Sequence, residues 1–86
     1  MNYTYTITAD NGINPKIVFS YSGLNILQAR AAYNSLKLAF RTVDVVNDIT
    51  GEVMISLYRS DEFFEPAFSE TEAIENTRAA LELLNH

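Results

Sequence analysis

Carboxylates are the chemically loaded side chains of this 86-residue chain, eleven of them against six lysines and arginines. Asp44, Asp48 and Glu52 fall around one turn and could hold a hard cation. Their spacing matches no calcium loop, however, and solvated turn acids are the simpler expectation. Asp61, Glu62 and Glu65 are near enough in sequence for acid–base work, but nothing beside them promises the burial or charge partner that would shift a carboxyl pKa. The one histidine, His86, is the last residue, a poor position for the base of a serine or threonine nucleophile or for a zinc ligand. With no cysteine, disulfides, thiolate metal sites and cysteine nucleophiles are excluded. Gly12, Gly23 and Gly51 are too dispersed for a phosphate loop or a dinucleotide fingerprint. The expectation is a protein that is not an enzyme, with no catalytic residue, metal or cofactor.

Six elements would have to position whatever these residues do. Tyr3 to Ala9 alternates Tyr3, Tyr5, Ile7 and Ala9 with Thr4, Thr6 and Thr8, the period of a strand. Asp10-Asn11-Gly12 is turn chemistry, and Lys16 to Tyr21 resumes the alternation, which predicts a hairpin. From Ile26 to about Arg41 the apolar residues Ala29, Ala32, Tyr33, Leu36 and Phe40 recur at helical spacing, after two candidate caps, Ser22 and Asn25, the second with Gln28 three positions on. A second hairpin follows: Thr42 to Val46, a turn at 47–51, then Glu52 to Tyr58, with Val53, Ile55 and Leu57 facing one way and Met54, Ser56 and Tyr58 the other. Ser69-x-x-Glu72 reads as a full capping box opening a second helix, whose stripe is Ala73, Ile74, Thr77, Ala80, Leu81 and Leu84. The fold predicted is one α+β domain across residues 1–86, a two-layer ββαββα with a four-stranded antiparallel sheet and both helices on one face. Strand order is left open.

Composition agrees with a globular chain: 48% apolar and 20% charged, too apolar for intrinsic disorder. The N-terminus has neither a basic nor an apolar signal region. No apolar run exceeds three residues against the roughly 20 that cross a bilayer, so a cytoplasmic location without membrane contact is expected.

Charge is placed unevenly. Residues 1–43 carry four bases and one acid; residues 44–86 carry two bases and ten acids, within a net charge of −5. Such a lobe draws in cationic surfaces and repels phosphates. Arg30, Asn34, Lys37 and Arg41 form a basic strip on the first helix, too sparse for direct nucleic-acid binding at physiological salt. The most distinctive stretch is 61–68, where acids alternate with Phe63, Phe64 and Phe68. These rings either fold back as a lid over the open sheet face or stay exposed as anchors rimmed by acids. The candidate partner-binding set is Asp61, Glu62, Phe63, Phe64, Glu65, Glu70, Glu72 and Glu75. On the first helix Leu27, Ala31 and Leu38 fall opposite the core face and form a candidate oligomer seam. The face carrying Thr4, Thr6 and Thr8, with Asp44, Met54, Ser56 and Tyr58 beside them, is expected to be wet.

The function expected from these features is a small acidic protein-binding module that occludes a basic surface on a larger nucleic-acid-handling protein. In size, charge sign and lack of catalytic groups the chain is similar in kind to phage-encoded inhibitors of host defence, including anti-CRISPR proteins, although no motif marks such a family. The alternative is a homodimer or other homo-oligomer with a structural or accessory role and no inhibitory one.

Overall fold

The computed structural model describes residues 3–12, 18–60 and 64–84. Along the chain it forms β1 (Tyr5–Asp10), β2 (Val18–Leu24), α1 (Ile26–Leu36), β3 (Thr42–Asn47), β4 (Val53–Tyr58) and α2 (Glu70–Leu83). The architecture is the predicted α+β ββαββα, with a four-stranded antiparallel sheet in the order β2-β1-β3-β4. The two hairpins are therefore joined through their first strands, β1 and β3, which pair at the centre.

Period-two sequence becomes a two-faced sheet. Tyr5, Ile7 and Ala9 are buried while Thr4, Thr6 and Thr8 between them are half-exposed. Ile7 sits opposite Val45 and Ala9 opposite Val43, so the central pair supplies the floor of the core. Ala29, Ala32, Leu36 and Phe40 close it from above, with Phe19 and Leu24 from β2 and Ala73 and Leu81 from α2. Thr77, fully buried in α2, satisfies its hydroxyl by donating to the Ala73 carbonyl at 2.7 Å.

Both helix starts carry the expected caps, with their roles exchanged. Asn25 makes the complete box: its side chain accepts from the Gln28 N–H at 2.8 Å, and its own N–H donates to Gln28 Oε1 at 2.9 Å. Ser69 makes half of one. Its Oγ accepts from the Glu72 N–H, but the Glu72 carboxylate takes the Ser69 hydroxyl at 3.1 Å rather than the backbone. A hydroxyl both donates and accepts, so serine can satisfy the acid locally. Gln28 also donates to the Leu81 carbonyl at 3.4 Å, so the residue that caps α1 ties α2 to it.

Two boundaries differ from the sequence expectation. α1 ends at Leu36, not near Arg41, because Leu38 and Ala39 turn their N–H groups to the carbonyls of Ser35 and Leu36, three residues back. This tightened turn lets Phe40 enter the core before β3 begins. In β4 the register slips by one: Val45 pairs with Ile55, but Val46 pairs with Val53. Val46 lies between the buried Val45 and Asn47, on the open face. The bulge therefore sends Val53 to that face and not alongside Ile55 and Leu57 as alternation predicts. Val53 is accordingly 56% exposed.

α1 lies over β1 and β3. α2 packs along α1 and meets the sheet only marginally. Ile55 and Leu57 of β4, on the helix side, stay half-buried. Among the described residues no helix is long and apolar enough to cross a membrane.

Leu36 is fully buried and Leu27 is 59% exposed. Leu36→Ala should lower the unfolding free energy by about 2–5 kcal/mol in urea titrations, and Leu27→Ala should change it by less than about 0.5 kcal/mol.

Candidate partner-binding surfaces

Of the expected site, Asp61, Glu62 and Phe63 lie outside the described residues. The rest of that segment is held against the turn that follows α1, on the helix side, and not over the threonine face. Arg59 is the reason. Its guanidinium donates to the carbonyls of Phe40, at 2.7 Å, and Lys37, and lies 4.3 Å from the centroid of the Phe64 ring. The N–H of Ala67 then donates to the Leu38 carbonyl at 2.8 Å. Phe64 is half-buried in this stack, whereas Phe68 and Glu65 are exposed.

α2 gathers the remaining carboxylates. Glu70, half-buried in the first turn, accepts from the Asn11 amide and so fastens α2 to the end of β1. Glu72, Glu75 and Glu82 are all exposed. At 3.6 residues per turn, 72, 75, 79 and 82 share the face opposite Ala73, Thr77 and Leu81, so these carboxylates form one ridge along the helix. Beside it runs an open groove of about 690 Å³ between α2 and the end of β2, lined by Tyr21, Gly23, Gln28, Glu75, Arg78 and Glu82 among others. Glu82 was not in the expected site set; its spacing from Glu72 and Glu75 is the signal that places it there.

Three of the five described cations are engaged by the fold. Arg41, beyond the end of α1, donates to the backbone carbonyl of Asn11. Lys37 lies 5.3 Å from the centroid of the Tyr33 ring, and Arg59 is fixed as described. Arg30 and Arg78 are the exposed ones among the described residues. The helical basic strip is thus divided between a surface residue, a ring contact and a loop clamp. On the candidate seam, Leu27 is exposed and Ala31 half-buried. Leu38 sits in the turn after α1, 37% exposed, with its carbonyl engaged by Ala67.

The turn acids are occupied separately. Asp48 accepts the hydroxyls of Thr6 at 2.5 Å and Thr4 at 3.0 Å. The Thr6 hydrogen bond, with those of Thr4 and the Gly23 backbone, holds its carboxyl below the ordinary 3.8. Asp44 accepts from the Ser56 hydroxyl at 2.8 Å. Among the described residues no group of three or more His, Cys, Asp or Glu is placed to hold a metal ion.

Fold and surface together define a class: a two-layer α+β domain with an acidic helix ridge at one side. No protein-family model, curated protein or solved structure matches the chain, so these surfaces are read from their own chemistry.

Because its pKa is lower folded than unfolded, Asp48 contributes stability that is present above the unfolded value and lost as pH falls through the folded one. Melting temperatures between about pH 2 and pH 5 should therefore fall less steeply for Asp48→Asn than for the parent. Arg59→Gln, which removes the charged fork from two carbonyls, should cost about 1–3 kcal/mol in chemical denaturation, while Arg30→Gln should be close to neutral.

Proposed function

We propose that this chain is an acidic protein-binding module that docks by its α2 side on a cationic surface and occludes it. The observation that carries the reading is the exposed Glu72–Glu75–Glu82 ridge, three carboxylates on one rigid helical face. Rigidity matters, because a fixed array loses little side-chain and backbone freedom when it meets a complementary array. The internal use of Arg41 and Arg59 supports the same reading, and on α2 itself four glutamates outnumber Arg78, the exposed cation within one turn of Glu75 and Glu82. The groove beside the ridge, with Tyr21 on its wall, offers an aromatic contact for a side chain of the partner next to a charged rim.

A surface built to attract three closely spaced carboxylates is the surface a protein uses for phosphates. The partner class is therefore a larger nucleic-acid-handling protein, and the module acts by competing with the nucleic acid, by contact alone and without catalysis. This is the strategy of small phage-encoded inhibitors of host defence such as anti-CRISPR proteins, and it is the biological role we assign. Residues 65–68, with Glu65 and Phe68 exposed, extend the contact from the N-terminal end of α2.

The test is competition. Immobilised protein should retain nucleic-acid-binding proteins from an extract of its host cell at low salt. It should release them when duplex DNA is added or when salt approaches about 1 M, where the screening length falls to about 3 Å. The triple variant Glu72→Lys, Glu75→Lys and Glu82→Lys should lose that retention. If the triple variant retains the same proteins, or if DNA does not displace them, occlusion through α2 is wrong.

A further inference from the structure

We propose that β4 is the docking edge for a second copy of this chain, paired antiparallel about a two-fold axis at Leu57 so that two sheets become one continuous sheet. The inference does not rest on the α2 reading: β4 and the α2 groove lie at opposite edges of the sheet.

Backbone parity sets the register. The Arg59 N–H donates to the Arg41 carbonyl at 2.9 Å. Bonded and non-bonded pairs alternate along an antiparallel ladder, so Leu57 and Ile55 also turn their backbone groups to Val43 and Val45. Ser56 and Tyr58 consequently point their N–H and C=O outward, where no described residue meets them. An antiparallel two-fold pairing keeps opposite residues on one face. Placing the axis at Leu57 sets Ser56 against Tyr58 of the second copy, and Tyr58 against its Ser56, and each such pair exchanges two N–H···O=C bonds. Shifting the axis to Ser56 would draw in Met54, which sits in the bulge.

Side chains fit the same register. On the helix side the half-buried Leu57 would meet its own mate, and Ile55 would lie opposite Arg59 of the second copy, whose guanidinium is held by its own Lys37 and Phe40 carbonyls. On the open face Tyr58, 72% exposed, would cover Ser56 of the second copy. Val53 to Tyr58 contains no charge, proline or glycine, the usual guards of a free edge. Among the described residues of β3 and β4 the carboxylates next to the junction are the two Asp44 side chains, each one strand in from it. Three strand spacings, about 14 Å, separate them, beyond the screening length of about 8 Å at physiological salt. Two chains of charge −5 can therefore approach here as they cannot along α2. The opposite edge is guarded: β2 carries a register shift and Gly23 at φ 75°. With one open edge per copy the assembly closes at two.

Sedimentation of the intact chain from about 10 to about 500 µM should show the mass rising from 9.7 kDa to twice that value, and a chain that stays monomeric throughout overturns the proposal. Ser56→Pro removes an outward N–H that the single copy does not use, and proline is tolerated at such edge positions. It should keep the circular dichroism of the parent and weaken association at least about tenfold; association at parental strength overturns the proposal. Should Ser56→Pro fail to fold, a cross-link decides. Leu57→Cys would bring two thiols onto the axis with Cα atoms about 4.5 Å apart, inside the range of a disulfide, in a chain with no other cysteine. Oxidised glutathione should convert Leu57→Cys to a covalent dimer and leave Ser20→Cys, on the β2 edge, monomeric. A monomeric Leu57→Cys, or equal cross-linking of Ser20→Cys, overturns the proposal.

Discussion

The seat of α1 over β1 and β3 is the constraint from which the rest of the molecule follows. A helix with its side chains is about 10 Å wide and strands are about 4.8 Å apart, so one helix roofs about two strands. α1 takes the two central ones. α2 must then lie to one side, and Gln28, reaching from the α1 cap to the Leu81 carbonyl, fixes it on the side of β2. The opposite edge receives no roof, which is why Ile55 and Leu57 remain half-buried although their spacing is that of a core strand. Two helices can cover four strands only when they straddle the middle; here their seam is off-centre, and the uncovered apolar surface falls at β4.

The same layout sorts the charges. Chain segments must leave the ends of α1 and β4 and find hydrogen-bond partners for their free carbonyls. At this end of the domain the donors are arginines: Arg59 for Lys37 and Phe40, Arg41 for Asn11. A guanidinium forks to more than one carbonyl and stacks on a ring, as Arg59 does on Phe64, so it suits such a junction better than lysine. Once cations serve the interior in this way, a modest formal imbalance becomes a more one-sided surface. Glu70, half-buried and held by the Asn11 amide, marks where the ridge gives way to packing.

Periodicity carried the fold because most elements here have one apolar face: Tyr5, Ile7 and Ala9, or Ala73, Thr77 and Leu81, are buried as their spacing requires. It was silent on strand order, since β1 and β3 meet across a connection whose length says nothing about which edge it joins. It misplaced Val53 because a bulge breaks the period of two by a single residue, a slip in register that no residue type announces. It extended α1 too far because Leu38 and Phe40 continue a helical apolar pattern while serving a turn. The acidic ridge is legible in charge and spacing together, and Glu82 belongs to it by the same helical period that relates Glu72 and Glu75. The retention of Phe64 by Arg59, twenty-two residues from the carbonyl of Lys37 that the arginine also binds, is a long-range fact with no local signature.

Two exposed surfaces of opposite physical character result. The α2 ridge is charged, with its backbone satisfied inside a helix, so whatever binds it must do so through side chains and will feel ionic strength. The β4 edge is neutral, with backbone groups facing outward, so whatever binds it must supply a strand, and the bonds it makes are weakly sensitive to salt. A partner suited to one is unsuited to the other. If both proposals hold, joining two β4 edges would leave each α2 toward an outer flank of the widened sheet, because α2 lies on the β2 side of α1 and β2 is farthest from the junction. Pairing copies would not bury the acidic ridge; it would present two of them, one at each end of a rigid sheet, to a cationic surface that repeats or to two surfaces at once.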